Sequence, residues 1–234
     1  MKSPSHYPPH TTQSHTHTHA ITHTHNHSHT NTLTVRTYTH THMHTGKYDV
    51  VAELTAKAMG GSMPFHEALA LRLDAMRPTK TQLETMLKEE EAKLTPKVKE
   101  FVADLRKRDV DVYFVSGGFT QMIEPIADRV GGVSEIYANT LLFDESDGSF
   151  AGHLKSAPTS RAGGKAKVVA DLKKKNGYDT VIMIGDGATD MEARDIPGGA
   201  DAFIGFGGVA VRDAVKQGAD WFVTDFQELR DALE

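Results

Sequence analysis

From about residue 95 onward, short apolar runs alternate with amphipathic stretches of helical period, and this alternation constrains the fold more than any other feature. Thr95-Pro96 predicts a helix start, with Thr as N-cap and Pro at the first helical position. Val98, Phe101, Val102 and Leu105 then fall on one buried stripe. Strands are predicted over 110–115, 136–138, 180–184, 202–205 and 221–223. Helices are predicted over 120–130, 165–175, 211–217, from 190 to 194 and at the C-terminus. Residues 141–153 read as a hairpin turning at Asp147-Gly148. Strands separated by helices of this length imply an α/β fold with a parallel, doubly wound sheet. Upstream, residues 49–76 read as helical with a break at Gly60-Gly61, and 79–93 as a charged, exposed helix.

The first 45 residues are of another kind. They hold 12 of the 14 histidines, mostly alternating with threonine, as in Thr39-His40-Thr41-His42. So few apolar residues cannot offset the entropy of ordering the segment, and residues 1–47 are expected to form a disordered tail. Clustered imidazoles also suit zinc, copper or nickel, although compositional bias alone does not build a specific site. Repeated CA dinucleotides encode Thr-His-Thr-His, so an origin of residues 1 to about 47 in an alternative or mispredicted first exon is expected.

Elsewhere the composition excludes whole classes of function. The chain has no cysteine, which removes disulfides, thiol chemistry and Cys-ligated zinc. Its net charge of −5 comes with no basic patch suited to nucleic acid. No apolar run is long enough to span a bilayer, and the N-terminus resembles neither a secretory signal nor a transit peptide. A soluble cytoplasmic protein is the expectation, with a plastid as the alternative for a photosynthetic source. No pattern specifies an oligomer, and a homodimer stays open.

Ligands of a doubly wound sheet bind at the C-terminal ends of its strands. Ser116-Gly117-Gly118 places a hydroxyl and two unhindered amides there, before a helix N-terminus, although glycines after a strand often mark only a turn. Gly185-Asp186-Gly187-Ala188-Thr189-Asp190 is more specific. An Asp at a strand end, flanked by glycines and followed four residues later by another, suits a hard cation such as Mg²⁺. Lys165 stands at a helix start, where the helix dipole disfavours a cation, and a lysine reaching a phosphate accounts for that placement.

"AKAMGGSMPFHEALALRL", "VYFVSGGF", "GGKAKVV", "VIMIGDGATDMEA" and "DAFIGFGG" follow one another in the order and spacing of the phosphoserine phosphatases. From about Val50 to Leu233 the chain resembles that family, part of the haloacid dehalogenase (HAD-like) superfamily. The resemblance implies a HAD-type Rossmann-like core over 95–234, a small, partial helical cap over 48–94, and Mg²⁺-dependent hydrolysis of O-phosphoserine. It further implies that Ser116, Gly117 and Gly118 bind the phosphoryl group and that Lys165 neutralises its charge. Asp186 would ligate Mg²⁺, Asp190 would hold the metal shell, and Thr189 would contact substrate. Met59, Gly60, Phe65 and Arg72 match the cap, with Arg72 pairing the substrate carboxylate.

Members of that family begin the core with a strand ending in Asp-x-Asp-x-Thr. Its first Asp attacks phosphorus and its second protonates the leaving alcohol. Here the first acidic residue is Asp49, with no apolar strand before it. Asp109-Val110-Asp111 has the spacing but precedes its strand, at the opposite edge of the sheet from Ser116. The central first strand is therefore expected to be absent, leaving a slot with unpaired backbone groups. Leu33–Tyr38 is the one tail segment with strand-like alternation. Two functions follow: a phosphatase inactive in this form, or a non-catalytic binder of phosphate or phosphoserine.

Overall fold

The computed structural model describes residues 18–22, 50–51, 53–54, 63–89 and 94–234. Its centre is a six-stranded parallel sheet in the order β3-β2-β1-β6-β7-β8. The strands are β1 (Thr18–Thr22), β2 (Val112–Phe119), β3 (Glu135–Asn139), β6 (Thr180–Gly185), β7 (Ala202–Phe206) and β8 (Trp221–Val223). A separate antiparallel hairpin joins β4 (Leu141–Phe143) to β5 (Phe150–His153). The doubly wound expectation holds, and the order of the strands reverses at β1.

One expectation is corrected. The central slot is not open: β1, drawn from the His/Thr-rich region, runs parallel between β2 and β6. Ala20 pairs with Val112 and with Ile182, and Thr22 pairs with Phe114 and with Ile184. The cause is the backbone. A strand flanked by two others satisfies its own donors and acceptors and those of both neighbours, whatever side chains it carries. Residues 33–38, the more strand-like stretch by pattern, lie outside the described residues.

Period-2 alternation in β2 and β6 builds a core on each face of the sheet. Val112, Phe114 and Ile184 pack with helices α3 (Val98–Arg106), α4 (Thr120–Val130) and α8 (Phe226–Asp231). Tyr113, Val115, Val181 and Met183 pack on the other face with α5 (Gly164–Asn176), α6 (Ala188–Asp195) and α7 (Asp213–Gly218). Helix α3 begins at Val98, later than Thr95-Pro96 predicts, because Lys97 adopts a left-handed conformation with φ of 66°. The stripe Val98, Phe101, Val102 and Leu105 is buried as expected.

Helices α1 (Phe65–Met76) and α2 (Lys80–Glu89) form a third cluster with the hairpin. Leu69, Leu73, Met76, Leu83 and Met86 pack there with Leu141 and Phe150, and with Phe119 and Met122 at the start of α4. Thr79 and Gln82 cap α2 reciprocally: Thr79 N donates to Gln82 Oε1 at 2.8 Å and Gln82 N to Thr79 Oγ1 at 3.2 Å. No described helix is long and apolar enough to cross a membrane.

At the opposite edge of the sheet Asp111 is more than a turn residue. It accepts from Arg106 Nη1 at 2.6 Å, Tyr178 OH at 2.8 Å and Ser134 Oγ at 3.2 Å. Burial pushes its carboxyl up, but the Arg106, Tyr178 and Ser134 bonds outweigh this and hold it below the usual carboxylate range. A lowered folded value contributes stability that is present above the unfolded value, near pH 4, and lost as pH falls through the folded one. Asp111→Asn is expected to cost about 1–2 kcal/mol at neutral pH, discounted for partial exposure. Urea denaturation should show that cost shrinking in acid.

Candidate functional site

The site lies where β2 and β6 end on either side of β1. Between the pairs Val115–Tyr137 and Phe119–Asn139, β2 has Ser116, Gly117 and Gly118 where β3 has only Ala138. The extra residues bow outward, which explains why the strand continues past the Val115 limit expected from its apolar run. Ser116 is fully buried, and its Oγ accepts from Gly118 N at 3.0 Å. That bond fixes the orientation of the hydroxyl.

Asn139, also fully buried, holds the bow from behind. Its Nδ2 donates to Gly117 O at 2.8 Å and its Oδ1 accepts from Thr159 Oγ1 at 3.2 Å. Thr159 belongs to a 3-10 turn, Pro158–Ser160, that leads into α5. Gly164 opens that helix against the turn, since a Cβ there would stand 1.9 Å from Pro158 O. The next residue is Lys165.

Lys165 Nζ donates to Asp190 Oδ1 at 2.9 Å, with both side chains buried. Asp190 Oδ2 accepts from Gly187 N at 3.0 Å, so the same carboxylate caps α6 and binds the lysine. Burial pushes the Asp190 carboxyl up to about 6, Lys165 pulls it back, and Asp186 adds to the rise. Burial likewise lowers Lys165, against the attraction of Asp190, Asp186 and Glu192. Gly185 makes this packing feasible: a Cβ there would lie 2.4 Å from Asp190 Cγ. Gly185→Ala is expected to cost about 1–3 kcal/mol through overpacking and to displace the Asp190 carboxylate. Thermal unfolding checks the first effect, and weakened phosphate binding in an otherwise folded variant checks the second.

Asp186 ends β6 as predicted, but it has a partner the sequence did not suggest. Arg212 Nη1 donates to Asp186 O at 2.6 Å and forms an ion pair with its Oδ2. Arg212 is the N-cap residue of α7. A cation at a helix start is the same signal that singled out Lys165, and it would have found Arg212 too. Asn139 and Thr159 carried no comparable signal.

The sequence-predicted residues thus divide. Ser116, Gly117, Gly118, Lys165, Asp186 and Asp190 gather at one edge of the sheet, with Thr189 exposed on the first turn of α6. Arg72 is buried on α1, where its Nε donates to Ala68 O at 3.0 Å. Phe65 opens the same helix. Met59 and Gly60 lie outside the described residues.

Whether this set suits Mg²⁺ depends on its donors. The ion takes near-octahedral oxygen ligands, commonly one or two carboxylates with phosphate and water. Asp190 is engaged by Lys165 and Gly187, and Asp186 by Arg212. Among the described residues no group of three or more His, Asp or Glu side chains could hold a metal ion. Asp186 and Asp190 are carboxylates of the kind the ion takes, but both are engaged and do not on their own complete a magnesium site.

Comparison with known proteins identifies the architecture. The model of the haloacid dehalogenase-like hydrolase family matches residues 10–194, a span that includes β1. The chloroplastic phosphoserine phosphatase of Arabidopsis thaliana is 50% identical over 190 residues, 81% of this chain and 64% of that protein. The chain therefore spans just under two thirds of this plant relative's length. The phosphoserine phosphatase of Bos taurus is 44% identical over the same share of this chain and 83% of its own. A phosphoserine phosphohydrolase-like protein from Francisella tularensis shares the fold, with a TM-score of 0.74, 24% identity and coverage of 93% of this chain and 100% of that one. On this evidence the chain belongs to the haloacid dehalogenase-like hydrolases, and within them to the phosphoserine phosphatase group.

Proposed function

We propose that this chain recognises O-phosphoserine through the phosphatase site of its family, and that in its present sequence it binds the ester without hydrolysing it. In this reading residues 95–234 are the core and 48–94 the cap over it. The Ser116 hydroxyl, the Gly117 and Gly118 backbone and Lys165 receive the phosphoryl oxygens. Arg72, on the cap helix, pairs with the substrate carboxylate, and Thr189 contacts the ester from the first turn of α6. Mg²⁺ supplies charge neutralisation and orientation to phosphoryl transfer in this family. The described donors do not on their own hold it.

The observation that carries the reading is the identity of the central strand. It is Thr-His-Ala-Ile-Thr, and no acidic residue precedes Asp49. Without a carboxylate on that strand, nothing on it attacks phosphorus to form an acyl phosphate, and nothing on it protonates the leaving serine oxygen. Binding groups and chemical groups are thereby separated, since the first lie on α1, β2, α5 and α6 and the second would have to come from β1.

The purified chain, incubated with O-phosphoserine, is expected to release no phosphate and to yield no trapped aspartyl-phosphate. Isothermal titration should still show the ester binding. Turnover at a rate normal for the family would overturn the separation, and absence of binding would overturn the recognition.

A further inference from the structure

We infer that at Asp186 the Arg212 guanidinium takes the charge-balancing place of a divalent cation, so that the site accepts a phosphate oxyanion without metal. The inference rests on the phosphate-binding reading above. It starts from a count of charges at one edge of the sheet. Asp186 and Asp190 bring two negative charges and Lys165 and Arg212 two positive ones, each in direct contact with a partner, while Glu192 adds a carboxylate that acts on Lys165 without an ion-pair contact.

The Arg212 contact is well placed to do this. A single nitrogen, Nη1, donates to both the backbone oxygen and the carboxylate of Asp186. Those are two oxygens of the sort a hard cation would otherwise collect. The Asp186 side chain is only 11% exposed and that of Arg212 29%, so the attraction is screened less than at an open surface. A bare Asp186 carboxylate, largely withdrawn from water, would repel an incoming phosphate dianion. With Arg212 bound to it that repulsion is cancelled internally.

Arg212 therefore acts through Asp186, as a positioning and charge-balancing residue. A merely structural role predicts that removing it weakens binding irreversibly. A cation-replacing role predicts that a real cation, or loss of the charge it covers, restores what removal costs.

The test uses the full chain, inorganic phosphate as probe, and isothermal titration in EDTA and in millimolar Mg²⁺. The unaltered chain should bind phosphate equally under both conditions, within about twofold. Arg212→Gln should weaken binding in EDTA by about tenfold or more, from the uncompensated charge. Millimolar Mg²⁺ should recover most of that loss. The double variant R212Q/D186N should recover most of the loss in EDTA and show no response to Mg²⁺.

Phosphate binding by the unaltered chain that appears only with Mg²⁺ would overturn the inference while leaving the phosphate site standing. A loss in R212Q that neither Mg²⁺ nor D186N repairs would also overturn it, placing Arg212 directly on the phosphate. Binding under no condition would remove the phosphate site itself. Circular dichroism of each variant separates these outcomes from misfolding, and the comparison on the unaltered chain needs no variant at all.

Discussion

The substitutions Thr24→Asp and Asn26→Asp, made together, are expected to turn a binding chain into a hydrolytic one. The register sets the positions. Thr22 pairs with Phe114 on one side and Ile184 on the other, and each neighbour carries its polar residue, Ser116 or Asp186, two positions further on. Counting two residues on from Thr22 along the sequence gives position 24 for the nucleophile, and the Asp-x-Asp spacing then gives position 26 for the acid. Ser28 already supplies a hydroxyl at the third place of the Asp-x-Asp-x-Thr spacing. Removing a nucleophile from a preorganised site commonly costs about 10⁴–10⁶ in rate. Installing one on a matching scaffold should therefore raise phosphate release from O-phosphoserine by at least about 10³ over the unaltered chain. Two added carboxylates beside Asp186 would also provide the oxygen ligands that Mg²⁺ requires, so the gained activity should depend on that ion. A second variant with an apolar strand grafted over residues 18–23 guards against poor pairing by the polar one. If both variants fold and bind phosphate yet release none, the register is not the one that sets the chemistry.

The second large effect concerns the buried pair. Lys165→Met leaves the Asp190 carboxylate, fully buried, with one fewer partner, and Asp190→Asn leaves a buried ammonium. Breaking a buried pair from one side costs about 3–5 kcal/mol, far more than the net worth of the intact pair. Each single variant should lose about 10 °C in Tm. The double variant K165M/D190N should lose clearly less than the two losses combined, because neither charge is then stranded. Phosphate binding should fall in K165M even under conditions where the protein remains folded. Additive losses in the double variant would show that the two groups do not depend on each other.

The sequence made most of this architecture readable because its signals were local. The runs that became β2, β6 and β7 stand out by apolar content, and the turn at Asp147-Gly148 by its residues. Lys165 and Asp186 stand out because a charged group at the end of a strand or the start of a helix has few structural excuses. The central strand was not readable, because a five-residue stretch with only Ala20 and Ile21 apolar carries no periodic signal. Its place is set by the unpaired backbone of β2 and β6, a demand that arises only once the rest of the sheet exists. The start of α3 was misplaced for a related reason: the left-handed Lys97 is a backbone feature that Thr-Pro capping statistics do not register. Arg212 was missed although its position at a helix start follows the rule that exposed Lys165.

The placement of β1 also shapes how such a molecule must come together. Strands β2 and β3 are joined through α4, and β6, β7 and β8 through α6 and α7, so each half-sheet is assembled from neighbours along the chain. The seam between the halves is β1, whose partners lie near position 112 on one side and 182 on the other. Closing it requires both halves to be in place first, and the entropy of such long loops is lost before any pairing rewards it. A strand with so little apolar surface contributes mostly backbone hydrogen bonds to that closure. The joint through the middle of the sheet is thus its last part to zip and its first to breathe, directly beneath the residues that would receive the phosphate.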